Sequence, residues 1–359
     1  MSLVLKGTGF LPGFEAARRL YEKNTITALT IGSVVYNAKT FKSLLNLAFE
    51  NHKLESLSLS ELNLSPTDKE DVNEVISKHG KYLKHIQFYK ATFGIGPTTR
   101  LINALSVFNT LKFLDLSCTS FGNLSMVEFA DALLNNHGIQ ILNMSSCQLH
   151  YDNAIELARV VRCSRTLESL RLGGSRLSEK VAHAIVKEAE ENTTLTELVL
   201  SDTRFDSPGT IFKRLLERNH TLQTLGLACT YLHITEVVGM LEALELYNNT
   251  LQVLDISHSY RTESIEIPLL AMLRRNESIR IINIAYGETY SGSPAALLDA
   301  IHFNPAIYDI GHYIDLNVRA VFKRNKKAYI MREKTLASMA MRFLRFYNPP
   351  SIPKRLKST

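Results

Sequence analysis

Residues Leu111-Lys112-Phe113-Leu114-Asp115-Leu116-Ser117-Cys118-Thr119-Ser120-Phe121 read LxxLxLxxTxF, and near-copies begin at Ile139, Leu167, Leu195 and Leu222. The first apolar position of each copy, followed along the chain, falls at Ile26, Leu54, Leu83, Leu111, Ile139, Leu167, Leu195, Leu222, Leu251, Ile279 and Ile307. Ten consecutive steps of 27 to 29 residues make a period that random apolar clustering does not produce. Leu3, Leu5, Thr8 and Phe10 match later positions of the same pattern, so the chain is expected to begin inside a strand. Alternating apolar residues mark a short strand at the head of each unit. The stretch that follows carries helix-start signals: Thr67-Asp68-Lys69-Glu70 and Ser125-Met126-Val127-Glu128 are capping boxes, while Ser207-Pro208 and Ser293-Pro294 put proline at the first helical position. The spacing predicts helices near residues 67–79, 98–108, 125–136, 152–163, 178–191, 208–218, 234–247, 265–275 and 293–303.

A strand and a full helix in every 28 residues or so resembles the ribonuclease-inhibitor-like leucine-rich repeats, from residue 3 to about 310. The resemblance implies an α/β solenoid. No single repeat can bury both its strand face and its helix stripe, so neighbours stack and share one core. Strands sit about 4.8 Å apart and helices about 10 Å, so the array bends into a curved horseshoe with the parallel β-sheet on the concave side and the helices on the convex side. The expected organisation is a repeat domain of about eleven repeats over 1–315, a helical C-terminal cap over 316–350 and a flexible basic tail over 351–359. Where the family has Asn or Cys in the turn after the strand, this chain has Thr119, Cys147, Ser175, Thr203, Thr230 and Ser259, residues small enough to bond the turn's backbone. Cys147 is accordingly read as structural. Val34, Leu62 and Ala91 predict a more apolar turn in the first repeats.

Composition excludes several classes. At 359 residues, with 45% apolar and 21% charged residues, the chain is neither disordered nor collagen-like. It has no apolar run of transmembrane length, and Met1 to Gly7 lacks the basic start and apolar stretch of a secretory leader. Four cysteines, Cys118, Cys147, Cys163 and Cys229, form no CxxC pair, which fits a reducing, cytoplasmic location. No HExxH, GxSxG, Walker-type or GxGxxG motif is present, so a non-catalytic protein without a cofactor is expected. The eleven histidines lack metal-ligand spacing on a helix face, and no metal is expected. Gly94-Ile95-Gly96-Pro97 and Gly173-Gly174 follow strands and read as tight turns rather than phosphate loops. Sequons such as Asn219-His220-Thr221 and Asn248-Asn249-Thr250 recur because the repeat places NxTL at the helix-to-strand turn.

The second, fourth and sixth offsets from each first apolar position face the concave side when the third and fifth face the core. Phe113 and Ile141 are then neighbours with Tyr89 one strand away, an apolar cluster flanked by Lys84, Lys90 and Lys112. Exposed apolar patches of this kind mark protein contacts. Arg171 lies farther along the same face, and Val253, Ile281, His258 and Tyr286 make a second candidate patch. The expected role is a monomeric scaffold that binds a folded protein partner on its concave face. Similar arrays occur in ribonuclease inhibitor, innate immune receptors, tropomodulin-like actin caps and effectors that bacterial pathogens deliver into host cytosol. The activator of the Ran GTPase is similar in repeat type, which implies an alternative as a regulator of a small GTPase or an actin-associated repeat protein. No motif carries a functional residue over from any of them.

Charge is strongly asymmetric. Residues 319–359 hold twelve Lys or Arg and one acid, Glu333, a net of +11 that leaves −5 for residues 1–318 against the chain's +6. Leu336, Met339, Ala340, Phe343, Phe346 and Tyr347 follow helical spacing, with Lys334, Ser338, Arg342 and Arg345 on another face. A helix over about 330–347 is predicted, ended by Asn348-Pro349-Pro350 and followed by Lys354, Arg355 and Lys357. Its first expected role is to cap the solenoid. Its charge also suits contact with an anionic membrane or with nucleic acid.

Overall fold

The computed structural model describes residues 2–6, 26–32, 38–50, 54–61, 66–90, 99–119, 121, 125–149, 152–205, 209–260, 265–284, 293–302, 304–310 and 316–346, with side chains of the last helix described through Lys334. Eleven strands form one parallel sheet in sequential order. They are β1 (Ser2–Lys6), β2 (Ala28–Gly32), β3 (Ser56–Ser60), β4 (His85–Tyr89), β5 (Phe113–Asp115), β6 (Ile141–Asn143), β7 (Ser169–Arg171), β8 (Glu197–Val199), β9 (Thr224–Gly226), β10 (Val253–Asp255) and β11 (Ile281–Asn283). Each pairs in the register that the repeat predicts, for example Phe113 with Ile141 and Leu114 with Leu142. A bridge from Ile281 to Asp309 continues the ladder past β11.

The helices between them are α1 (Ala38–Glu50), α2 (Pro66–His79), α3 (Thr99–Leu105), α4 (Met126–Asn135), α5 (Glu156–Cys163), α6 (Glu179–Ala189), α7 (Ile211–Arg218), α8 (Ile234–Leu246), α9 (Glu266–Arg275), α10 (Pro294–His302) and α11 (Leu316–Phe346). The chain is thus an α/β leucine-rich repeat solenoid. Leu57, Ile86, Leu114, Leu142, Leu170, Leu198, Leu225, Leu254 and Ile282, the third offset in successive repeats, have no exposed surface. Full burial of one such side chain is worth about 2 kcal/mol, so this column pins the register of the whole sheet.

Several boundaries differ from the sequence reading. Ser125 does cap α4, accepting from Glu128 N at 3.2 Å. The helix expected from 208 begins instead at Ile211, and its N-cap residue, Thr210, makes no side-chain cap bond. The cap comes from the neighbouring repeat: Glu236 Oε1 accepts from Phe212 N at 2.5 Å and Lys213 N at 3.3 Å. α2 starts at Pro66, one residue before the expected capping Thr67, with proline in its first turn, where a missing N–H costs nothing. The last helix begins at Leu316, well before the expected 330, because Val318 and Phe322 are buried against the array.

Two polar ladders stitch the repeats together. The expected one after the strands is present at four of its hydroxyl positions: Ser175 Oγ donates to Met144 O at 2.5 Å and Thr230 Oγ1 to Leu227 O at 2.6 Å, while Thr119 and Ser259 donate to Leu116 O and Leu227 O. Thr203 departs from it, its buried hydroxyl making no hydrogen bond. Cys147 Sγ bonds Leu116 O at 3.0 Å, and burial pushes its thiol up to about 12. A thiol so protonated is no nucleophile at neutral pH. Val34, Leu62 and Ala91 lie outside the described residues.

The second ladder occupies the helix-to-strand turns. Asn219 Nδ2 donates to Ala189 O at 2.8 Å and Asn192 O at 3.0 Å, while Oδ1 accepts from Thr221 N at 2.9 Å and Leu222 N at 2.7 Å. Asn136, Asn192, Asn248, Asn276 and Asn304 make equivalent bonds in their own repeats. The NxTL recurrence is therefore this ladder, and the Asn219 and Asn248 amides of the two sequons are consumed by it. Asn325 of α11 continues the series, donating to Asn304 O at 3.1 Å and Ile307 O at 2.9 Å.

Candidate protein-binding face

The concave face is built from the second, fourth and sixth offsets of each strand. In every strand with a complete description the intervening residues are buried, so these columns are what the sheet offers to solvent. After the strands the chain turns through a left-handed residue at one fixed offset: Glu61, Lys90, Cys118, Ser146, Asp202, Cys229 and His258 all have φ between 47° and 59°. Gly174, at +70°, holds the same place in its repeat. Its N–H donates to Ser201 O at 2.8 Å, so Gly173-Gly174 serves the turn and presents no phosphate cradle. Gly94 to Pro97 lie outside the described residues.

Polar groups on the face are largely paired with one another. Ser58 Oγ donates to Gln87 Oε1 at 2.8 Å, and Gln87 Nε2 donates to Asp115 Oδ2 at 3.1 Å, linking three strands. Arg171 grips Glu197 through Nε at 3.1 Å and one terminal nitrogen at 2.9 Å, while Ser169 Oγ donates to the same carboxylate at 2.6 Å. Arg171 is therefore half of a bidentate pair rather than a bare cation.

Phe113 and Ile141 lie opposite each other on β5 and β6, half-buried on the solvent side of the sheet. On the other side of Phe113 the register places His85, with ring centroids 6.1 Å apart. Tyr89 sits at the far end of β4, opposite Ser60, with the Lys90 ammonium 5.4 Å from its ring centre. Four residues of extended chain, about 13 Å, separate Tyr89 from the His85 row. The expected trio is thus a His85, Phe113, Ile141 row with Tyr89 at the opposite rim, because the second and sixth offsets share a face but not an end.

Of the basic flanks, Lys84 pairs with Glu55 at 2.8 Å and Lys90 with Glu61 at 3.5 Å, both exposed. Lys112 is exposed at the strand-entry edge, beside a polar groove that also includes Gln140, Arg165 and Glu168. In the second patch Val253 and Ile281 are directly paired and half-buried, and His258 is exposed at the turn after β10. Tyr286 lies outside the described residues, as do Lys354, Arg355 and Lys357. Arg342 and Arg345 fall in the backbone of α11, in the part whose side chains are not described. Among the described residues no three His, Cys, Asp or Glu side chains converge as a metal site would require, and no helix is long and apolar enough to cross a membrane.

No known protein-family profile matches the chain. Among curated proteins it is similar to the mouse (Mus musculus) "NACHT, LRR and PYD domains-containing protein 4C", 25% identical over 215 residues, which is 59% of this chain and 22% of that protein. The chain thus spans only a fraction of that relative's length. Among solved structures it is similar to "Leiomodin-1 Actin-Binding Site 2 (ABS2)", with 24% identity, 33% of this chain and 69% of that chain covered and a TM-score of 0.27, a value at which only local geometry is shared. The similarity by sequence to a protein named for its leucine-rich repeats agrees with the fold described above.

Proposed function

We propose that the chain is a non-catalytic protein-interaction scaffold of the ribonuclease-inhibitor-like type, which binds a folded partner through the concave face around Phe113 and Ile141. One observation carries the reading: two large apolar side chains stand side by side on a sheet face whose polar neighbours are mutually hydrogen-bonded. Such a surface costs little to desolvate and offers area rather than charge, as the centre of a protein interface does. The similarity to a larger protein named for the same repeats supports it.

The test replaces Phe113 by Asp. Leu114 beside it points into the core while Phe113 faces solvent, so the substitution is expected to leave melting unchanged and weaken a captured partner by about 2 kcal/mol, roughly thirtyfold. Val127, exposed on the helical side, serves as control: Val127→Asp is expected to leave affinity unchanged. A stable Phe113→Asp protein with full affinity removes this site. The identity of the captured partner also decides between a host protein met by a delivered effector, a small GTPase and actin.

A further inference from the structure

The first half of α11 packs on the solenoid. Val318, Phe322 and Asn325 are buried, Val321 and Tyr329 half-buried, and Tyr329 closes the contact with its ring 5.5 Å from that of Tyr308 and the Arg280 guanidinium 5.6 Å from its centre. Past Tyr329 every described side chain, residues 330 to 334, is exposed. The helix nevertheless runs on to Phe346, about 25 Å of further rod at 1.5 Å per residue. Among the described side chains, cap packing ends at Tyr329.

The sequence of the second half is not that of a solvated spacer. Val318, Phe322, Asn325 and Tyr329 set a register of four and three residues, and after a break at the charged Arg332 and Glu333 it resumes with Leu336, Met339, Phe343 and Phe346. Lys323, Lys327, Lys334 and Arg345 fall at the opposite register positions. From 326 to 346 there are six basic residues and one acid, Glu333, a net of +5. Two such helices repel, which disfavours a second copy as the occupant. Charge alone would suit nucleic acid, but a continuing row of leucine, methionine and phenylalanine has no use on a phosphate backbone. A basic polar face opposite a row of large apolar residues suits the headgroup boundary of an anionic bilayer, where such a helix lies in the plane rather than spanning it.

We propose that the second half of α11, residues 330–346, is an interfacial helix that docks the solenoid on an anionic lipid surface, while the first half seals the last repeat. The chain contains no tryptophan, so Phe343→Trp supplies a single reporter in the full-length protein. It is mixed with phosphatidylcholine vesicles, with vesicles carrying about 30% phosphatidylserine, and with duplex DNA. The expected result is sedimentation with the anionic vesicles only, a blue shift of the indole emission on binding, and release as salt is raised from about 0.1 M to about 0.5 M. Arg332→Gln with Lys334→Gln, both exposed, is expected to cut vesicle affinity about 25-fold, at about fivefold per charge near the surface, with melting unchanged. Should the tryptophan disturb folding, wild type and the double glutamine variant decide by sedimentation alone. The proposal is overturned by failure to sediment with anionic vesicles at low salt, by equal binding to neutral ones, or by binding to DNA in preference to vesicles without an emission shift.

Discussion

Replacing Asn219 by alanine tests the claim that the asparagine ladder, more than the turn chemistry after the strands, holds neighbouring repeats in register. The side chain is 2% exposed and makes four hydrogen bonds with backbone groups, two to carbonyls of the preceding repeat and two from its own turn. Alanine removes all four of these bonds, although Asn192 O keeps the Thr221 hydroxyl and Ala189 O keeps Asn192 N. Each lost bond to a buried backbone group costs about 1 kcal/mol net, so the substitution is expected to cost about 4 kcal/mol, less where water enters. Asn325 at the end of the described ladder donates two bonds, and Asn325→Ala should cost about half as much by the same reckoning. Urea unfolding followed by circular dichroism measures both. In a repeat array a weakened central interface also splits the transition, so a broadened or biphasic curve for Asn219→Ala is part of the expectation. Asn219→Asp keeps the acceptor but sets a buried carboxylate oxygen against the Ala189 and Asn192 carbonyls, and should cost at least as much as alanine at pH 7. A loss under about 1 kcal/mol for Asn219→Ala, no larger than a typical surface substitution, would refute the reasoning.

Cys147, buried and shifted to about 12, is expected to resist alkylation at pH 8, where the exposed Cys163 and Cys229 react. Its folded value lies above the model-thiol value of 9.0, so folding favours the neutral form: stability is intact below pH 9 and declines as the pH rises toward 12. The full decline amounts to about 4 kcal/mol, and Cys147→Ala should abolish it in alkaline unfolding curves. Burial pushes the Glu236 carboxyl above the usual carboxylate range, against the pull of the backbone N–H groups of Phe212, Lys213 and Ile211. The carboxyl's contribution is therefore fully present below its unfolded value and lost as the pH rises through its folded value. Glu236→Gln, which keeps one acceptor oxygen without the buried charge, is expected to match or exceed wild-type stability at pH 7, whereas Glu236→Ala should cost about 1 to 2 kcal/mol through loss of the cap; equal melting of the two variants would contradict this.

The register of the sheet was legible residue by residue because each buried leucine recurs at a fixed offset and a slip of one residue would expose all of them. Phe113, Ile141, Val253 and Ile281 accordingly face solvent as expected. What the sequence left hidden depends on contacts between repeats rather than within one. Glu236 caps α7 from 24 residues away, so no local signal at 208 to 211 reveals where that helix begins. The asparagine ladder was visible as a recurrent NxTL but resembles a glycosylation signal until the amide's partners are known. Tyr89 was grouped with Phe113 because alternation gives the face of a side chain and not its distance along the strand. The helical cap was expected from 316, but the helix itself was placed only from about 330, because only Val318, Val321 and Phe322 mark the apolar side of the early turns among many lysines and arginines.

The central claim, that a partner seats on the concave face around Phe113 and Ile141, is tested most directly by hydroxyl-radical footprinting of the complex with a captured partner. Side-chain oxidation is read for Phe113 and Ile141 on the sheet and for Val127 and Ile267 on the helical side, the latter two 49% and 83% exposed. The account predicts that binding protects Phe113 and Ile141 severalfold and leaves Val127 and Ile267 unchanged. Protection of Val127 and Ile267 with unchanged oxidation of Phe113 and Ile141 would place the partner on the convex face and contradict it.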